Sequence, residues 1–547
     1  MWIVLSPLLL PACGGGGTGP SGGPLCTAAV ELPLQVAEVR LVNPRLESNC
    51  LELLGGTAER EYLVVPYAGT GTETTTGVEG AFQLTTALEG TGAGSLLAGQ
   101  AAAGPQPGDG ANAFHLSLRE AEARLPRPTG DASRAGVGRV LRPPPEVGDE
   151  SVFRVCASLG CGSTVPITAA ARYVGTSGIV WVDTEMPDGA QALTTADLEQ
   201  LGLLFDDHLF PIGTTAFGAT SDIDVDGHIS IVITDQVNDL TEDCSDGRVV
   251  GYFFGGDLLV SQPGSNQGEV FFAFAPKPAT ATCPAVSRVG ALRSLAPVLI
   301  HELQHMISFN QHVLLRGRAD EVVWLNEGLS HFAEELAQRL VPDERCPNSS
   351  SCYSLFATGN IQNAYLYLED PEATPLVAPS EGLTLAGRGA AWLFVRWMAD
   401  HFSSDTLRGT TLTRALLTGT SSGAANAAAA TGLPFATLAG EWLAANWLDD
   451  LGGFPQAGRF RYRSWNFRSV FAANHPTPPF VRPFPLVPAL SNGSSTHAGT
   501  LRGGSGYYLR VVLPAGSDRV TVELSGTSPS VPVSTQLDPR VAVVRIR

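Results

Sequence analysis

A chain of 547 residues is too long for a single hydrophobic core, and roughly two to four domains are expected. With 44% apolar and 16% charged residues it is built to fold, and a net charge of −19 opposes nucleic-acid binding by phosphate neutralisation. The 61 Gly and 39 Pro favour turns, and hence a large share of β-structure and loop.

Trp2 to Leu10 is an apolar stretch broken by Ser6 and Pro7. It is too short to span a bilayer and has the length of a signal-peptide core. Leu10-Pro11-Ala12-Cys13 follows, then Gly14 to Gly17. This run resembles the lipobox of bacterial lipoproteins. The resemblance implies a signal peptide over 1–12, a lipid on the Cys13 sulfur, and a Gly-rich tether over 13–25. It departs from the pattern in having no Lys or Arg ahead of the apolar run. It implies a place in the bacterial cell envelope, on the extracytoplasmic side, as an outer-membrane or cell-surface protein whose membrane contact is the lipid alone. A Cys13→Ser variant recovered in the membrane fraction would oppose it. With Cys13 set aside, eight of the nine cysteines remain, an even number that suits an oxidising compartment. Neighbours along the chain give the expected pairs Cys26–Cys50, Cys156–Cys161, Cys244–Cys283 and Cys346–Cys352.

The fold class expected is multidomain, an α+β core flanked by β domains. Residues 26–167 alternate and are rich in turns, with strands over Val30–Val42 and Arg60–Val65 and a loop over Thr91–Gly110. They are expected to form an N-terminal all-β domain of sandwich type. Residues 168–456 change character. Ile179–Val182 and Ile229–Thr234 read as buried strands. Thr195–Leu209, Arg293–Phe309, Val323–Leu340, Trp392–Phe402 and Phe435–Leu448 read as helices, which together suggest an α+β domain. Residues 457–547 return to Pro and short strands, at Tyr507–Leu513, Arg519–Leu524 and Val541–Arg547, and are expected to form a small C-terminal β module. Asp222-Ile223-Asp224-Val225-Asp226-Gly227 resembles the start of a Ca2+-binding loop. Its twelfth position is Ile233 rather than Glu, so a polar turn into the strand at Ile229 is favoured over a calcium site.

The chemistry centres on His301-Glu302-Leu303-Gln304-His305. Positions four apart share a helix face, so both imidazoles can reach one metal ion, with Glu302 beside them. Zinc acidifies water to a pKa of about 7 and polarises a carbonyl. Glu302 would then act as general base and pass the proton on to the leaving amine. The metzincin pattern, which needs Gly at 308 and His at 311, is disfavoured, because those positions are Ser308 and Gln311 and His312 is one residue out of register. Further on, Trp324-Leu325-Asn326-Glu327-Gly328 resembles the Asn-Glu-Gly run by which gluzincins present a glutamate as third zinc ligand; the resemblance implies Glu327 in that role, with a fourth position open.

The segments His301–Ile307 and Trp324–Glu335 resemble the hyicolysin family of neutral metallopeptidases and, more distantly, thermolysin and the aminopeptidases with Trp-Leu-Asn-Glu-Gly. The likeness is strongest over about 290–340. It implies a zincin-like core of gluzincin type that binds one catalytic Zn2+ through His301, His305 and Glu327, has Glu302 as base, and takes a protein or peptide substrate. Two departures stand out. Where the thermolysin pattern has an Asp four residues after the ligand Glu, this chain has His331. No Gly-x-Met-Glu-Asn run is present, which favours internal cleavage over N-terminal trimming. His331, Tyr365 and Tyr367 are the candidates for stabilising the oxyanion. Glu334 and Glu335 read as a solvated face, with orientation of a ligand histidine as the alternative. The rival functions are a catalytically inactive surface binding or adhesion lipoprotein on the same scaffold, and hydrolysis of a small-molecule ester or amide.

Overall fold

The computed structural model describes residues 28–88, 95–98, 109–126, 143–186, 191–347, 351–379, 382–405, 408–456 and 458–547. Cys13 and Cys26, and with them the expected signal peptide and tether, lie outside the described residues. No helix among the described residues is long and apolar enough to cross a membrane.

The first strands of the chain are β1 (Val30–Leu32), β2 (Val39–Val42), β3 (Cys50–Leu54), β4 (Arg60–Ala68), β5 (Glu79–Leu88) and β6 (Ser95–Ala98). The middle of the chain contributes β7 (Glu150–Cys156), β8 (Thr164–Val174), β9 (Gly178–Asp183), β10 (Ile229–Ile233), β11 (Gly251–Phe253) and β12 (Val270–Ala273). The last strands are β13 (Ala489–Ser491), β14 (Ser495–Arg502), β15 (Leu509–Leu513), β16 (Arg519–Ser525) and β17 (Pro539–Arg545).

Both ends of the chain build one β-sandwich. One sheet runs β1-β3-β16-β5-β14-β6 and the other β13-β15-β4-β17-β2. Alternation sets the faces: Phe82 and Leu84 of β5, and Val520, Val522 and Leu524 of β16, point into a core shared with Val64, Val511 and Val543. The strands expected in separate N- and C-terminal modules are therefore interleaved. Alternation reveals which face of a strand is buried, but not which distant strand completes its ladder. The expected boundary at 168 also falls inside β8. β7 and β8 belong to the central sheet, ordered β11-β12-β10-β9-β8-β7.

The central sheet positions the candidate site. β10 is parallel to β9 and β12, and β11 is antiparallel to β12 and forms the sheet edge. The helices needed below are α1 (Asp109–Ala123), α2 (Thr195–Leu204), α3 (Arg288–Phe309), α4 (Val323–Leu340), α5 (Thr358–Glu369), α6 (Leu385–Phe402) and α7 (Phe435–Leu448). α2 starts on a capping box between Thr194 and Asp197, and a wider helical turn carries it on to Leu209. α3 starts at a Ser287 cap whose hydroxyl accepts the Gly290 N–H at 3.0 Å. It crosses β11 closely, since a Cβ on Gly251 would lie 2.7 Å from Val298 Cγ1. α7 ties the body to the sandwich: Tyr67 donates to the Ala436 carbonyl at 2.8 Å and Tyr508 to the Leu443 carbonyl at 2.8 Å.

Cys156–Cys161, Cys244–Cys283 and Cys346–Cys352 are bonded as expected. Cys50 is also disulfide-bonded.

Candidate metal centre

α3 and α4 pack with their polar motif residues inward, so His301, Glu302, His305 and Glu327 are all buried. The two histidine Nε2 atoms stand 3.3 Å apart. Glu327 Oε2 lies 3.5 Å from His301 Nε2, and Oε1 lies 3.5 Å from His305 Nε2. Donors of a tetrahedral zinc site, with bonds of about 2.0–2.1 Å, sit about 3.3–3.4 Å apart, so the spacing fits such an ion. Neither Glu327 oxygen takes part in a well-formed hydrogen bond, although Arg388 Nη1 is 2.9 Å from Oε2. A buried carboxylate left in this state fits a cation between it and the imidazoles.

The surrounding groups orient these side chains. His301 Nδ1 donates to Glu334 Oε1 at 2.7 Å, which leaves Nε2 free for a metal. Glu334 also reaches His331 Nδ1 at 3.2 Å. Glu334 and Glu335 are buried rather than solvated, because the face of α4 that carries them turns toward α3 and α6. Glu335 is fixed by the indole N–H groups of Trp392 at 2.9 Å and Trp465 at 2.8 Å, and by Arg339 at 2.7 Å. His305 has Ser330 Oγ beside it, 3.3 Å from Nδ1. Glu302 accepts the Phe253 N–H of edge strand β11 at 2.8 Å, which aims its carboxylate along the open edge of the sheet.

Electrostatics separates the two histidines. Burial opposes charge on His301, but Glu327 and Glu334 outweigh it and raise the ring to about 10. Burial and the Arg119 cation lower His305 to about 3. Burial disfavours the Glu327 anion, yet Arg388 and the two imidazoles hold it well below the usual carboxylate range. Burial pushes Glu302 up, against the pull of His301 and Arg119.

Other expected residues fall elsewhere. Tyr365 exchanges hydrogen bonds with the Arg482 backbone, and Tyr367 stacks on Trp442 and is bonded by Asn446, so both hydroxyls are engaged in packing. His331 lies at the centre, its ring 5.0 Å from that of His301. His312 turns away to Asp320 at 3.5 Å. Asp222, Asp224 and Asp226 do converge. Asp222 and Asp226 each also accept a backbone N–H of the following turn, from Gly227 and His228.

Sequence reasoning missed Arg388 and the whole of α1. Arg388 lies 61 residues beyond Glu327, with no local motif to mark it. α1 did leave a signal: Asn112, His115, Arg119 and Glu122 recur at helical spacing, with Phe114 and Leu118 on another face. The Gly- and Ala-rich run before them obscured it.

No family model matches the chain. A neutral metalloprotease of Staphylococcus hyicus, ShpI, is 29% identical over 181 residues, covering 32% of this chain. That stretch spans 38% of the relative's length. The relative is named a neutral metalloprotease, and the His-His-Glu cluster of this chain offers a donor set for a metal ion.

Proposed function

We propose that the chain is a zinc-dependent endopeptidase that hydrolyses extracytoplasmic proteins or peptides and is held to the cell envelope by a lipid on Cys13. The observation that carries the catalytic reading is the convergence of His301, His305 and Glu327 at zinc-ligand spacing, with Glu302 on the same helix as the two histidines and hydrogen-bonded to the edge strand. A bound zinc ion would supply Lewis acidity, polarising the scissile carbonyl and acidifying water. Glu302 takes the proton of the attacking water and returns it to the leaving amine, a role suited to a buried carboxylate whose affinity for protons is raised. Glu334 keeps His301 in the ligating tautomer. We assign His331 to the developing oxyanion, since its ring faces His301 and its nitrogens form no well-shaped hydrogen bond. The disulfides support an oxidising compartment, and the lipobox-like run at Cys13 supports the anchor.

The test pairs the 547-residue chain with its Glu302→Ala variant on a mixed peptide library, with bound zinc quantified in both. The expected result is about one zinc per chain in each and cleavage of internal bonds by the parent alone. Equal cleavage by the variant would remove Glu302 as base. Zinc in both and cleavage by neither would point to a metal-stabilised binding protein, a latent enzyme or a substrate absent from the library.

A further inference from the structure

α1 occupies the edge of the central sheet at the catalytic centre. Arg119 Nη2 donates to the Phe253 carbonyl at 2.7 Å, and Glu122 Oε1 accepts the Gly255 N–H at 2.5 Å. The two side chains are paired at 3.0 Å and are 4% and 2% exposed. Phe253 is the residue whose N–H is taken by Glu302, so the next backbone groups along the open edge are taken by α1. The charge of Arg119 reaches Glu302, Glu327 and Asp320. One turn back, His115 is within electrostatic reach of Arg388, Glu327 and His301. At the start of the helix, Asn112 Oδ1 accepts Arg388 Nε at 2.9 Å.

Asn112, His115, Arg119 and Glu122 thus form a polar stripe on one helix face, aimed at the metal centre. Phe114 and Leu118 anchor the helix from another side, with Phe114 edge-on to Tyr252 at 5.4 Å. A helix that only closed a core would present apolar residues at the stripe, because a buried polar group without a partner is costly. Arg119 Nε is buried there without a hydrogen-bond partner. A peptide joining the sheet edge by main-chain hydrogen bonds needs the groups that Arg119 and Glu122 now hold.

Resting on the peptidase reading of this centre, we infer that α1 is an inhibitory plug, a segment of the chain that must leave the sheet edge before a peptide substrate can dock. In sequence, α1 is preceded by 99–108 (GQAAAGPQPG) and followed by 127–142, which carries Arg127, Arg134, Arg139 and Arg142. Because β1–β6 are bonded into sheets with β13–β17, a cut in 127–142 leaves the N-terminal strands in place. A protease that cuts after arginine is the class of activator this sequence suits.

The test inserts a recognition site for a sequence-specific processing protease in 99–104 and another in 129–136 of the full chain. The zinc-loaded protein, cut and uncut, is titrated with a fluorescent peptidyl hydroxamate, whose binding requires an accessible metal centre but no turnover. Apparent affinity falls by the fraction of molecules that are plugged, so excision is expected to strengthen binding about tenfold or more. A synthetic 109–126 peptide is expected to compete the probe away. The uncut Arg119→Ala/Glu122→Ala variant, which releases both edge contacts without a cut, is expected to shift binding in the same direction. Equal or weaker binding after excision and in the double variant would overturn the plug and make α1 a permanent cleft wall. Stronger probe binding without peptide cleavage would uphold the plug and count against the peptidase.

Discussion

Glu334 shows how one residue outside the motif governs those inside it. Its carboxylate holds His301 Nδ1 at 2.7 Å and so leaves Nε2 to face Glu327. Glu334→Gln keeps an acceptor but removes the charge. It is expected to lower zinc affinity about 10–100-fold, measured by competition with a chromophoric chelator, with little change in the fold. Unchanged affinity would remove Glu334 from the site. At this scale the sequence was legible where the chemistry is contiguous. His301, Glu302 and His305 lie within one helical turn or so, and Glu327 sits in a run of distinctive neighbours. Glu334 and Glu335 were not legible as buried, because a charged pair on a helix gives no sign of what packs against it. Here the partners are His301 and His331 for one, and Trp392, Trp465 and Arg339 for the other.

The helices meet at small residues. A Cβ on Gly328 of α4 would lie 2.9 Å from the Ala391 carbonyl of α6, so this glycine sets how closely the two helices approach. It follows Glu327 in the chain, and Ala391 is three residues after Arg388, so the same contact sets Glu327 and its guanidinium partner side by side. Gly328→Ala is expected to destabilise the protein by about 1–3 kcal/mol, seen as a lower melting temperature, and to weaken zinc binding. A variant with parental melting and zinc affinity would show that the approach is not tight. Long periodic elements were read closely: α4 and α7 have the expected limits, and α6 extends the expected helix back to Leu385. Shorter elements were harder. The strand expected over Val30–Val42 is two, separated at Pro33 and by Ala37 with its positive φ of 66°. α1 fell in a stretch whose small residues outweighed its stripe.

Across the whole molecule, the chain ends fold together and the middle depends on them. β4 is flanked by β15 and β17, and β5 by β14 and β16, so neither sheet exists without residues from both ends. Trp324 at the start of α4 donates to Glu73 at 3.0 Å, which joins the sandwich to the helix that bears Glu327. A fragment of residues 168–456 also loses β7 and part of β8. It is expected to show no cooperative thermal unfolding under conditions where the full chain does, and cooperative melting of that fragment would contradict the shared architecture. We propose that His301, His305 and Glu327 together hold one zinc ion. X-ray absorption at the zinc edge of the purified, dialysed chain tests it most directly. The expected shell has two imidazole nitrogens at about 2.0–2.1 Å and a carboxylate oxygen, lost together in Glu327→Ala. A shell without imidazole, or no zinc retained, would contradict it.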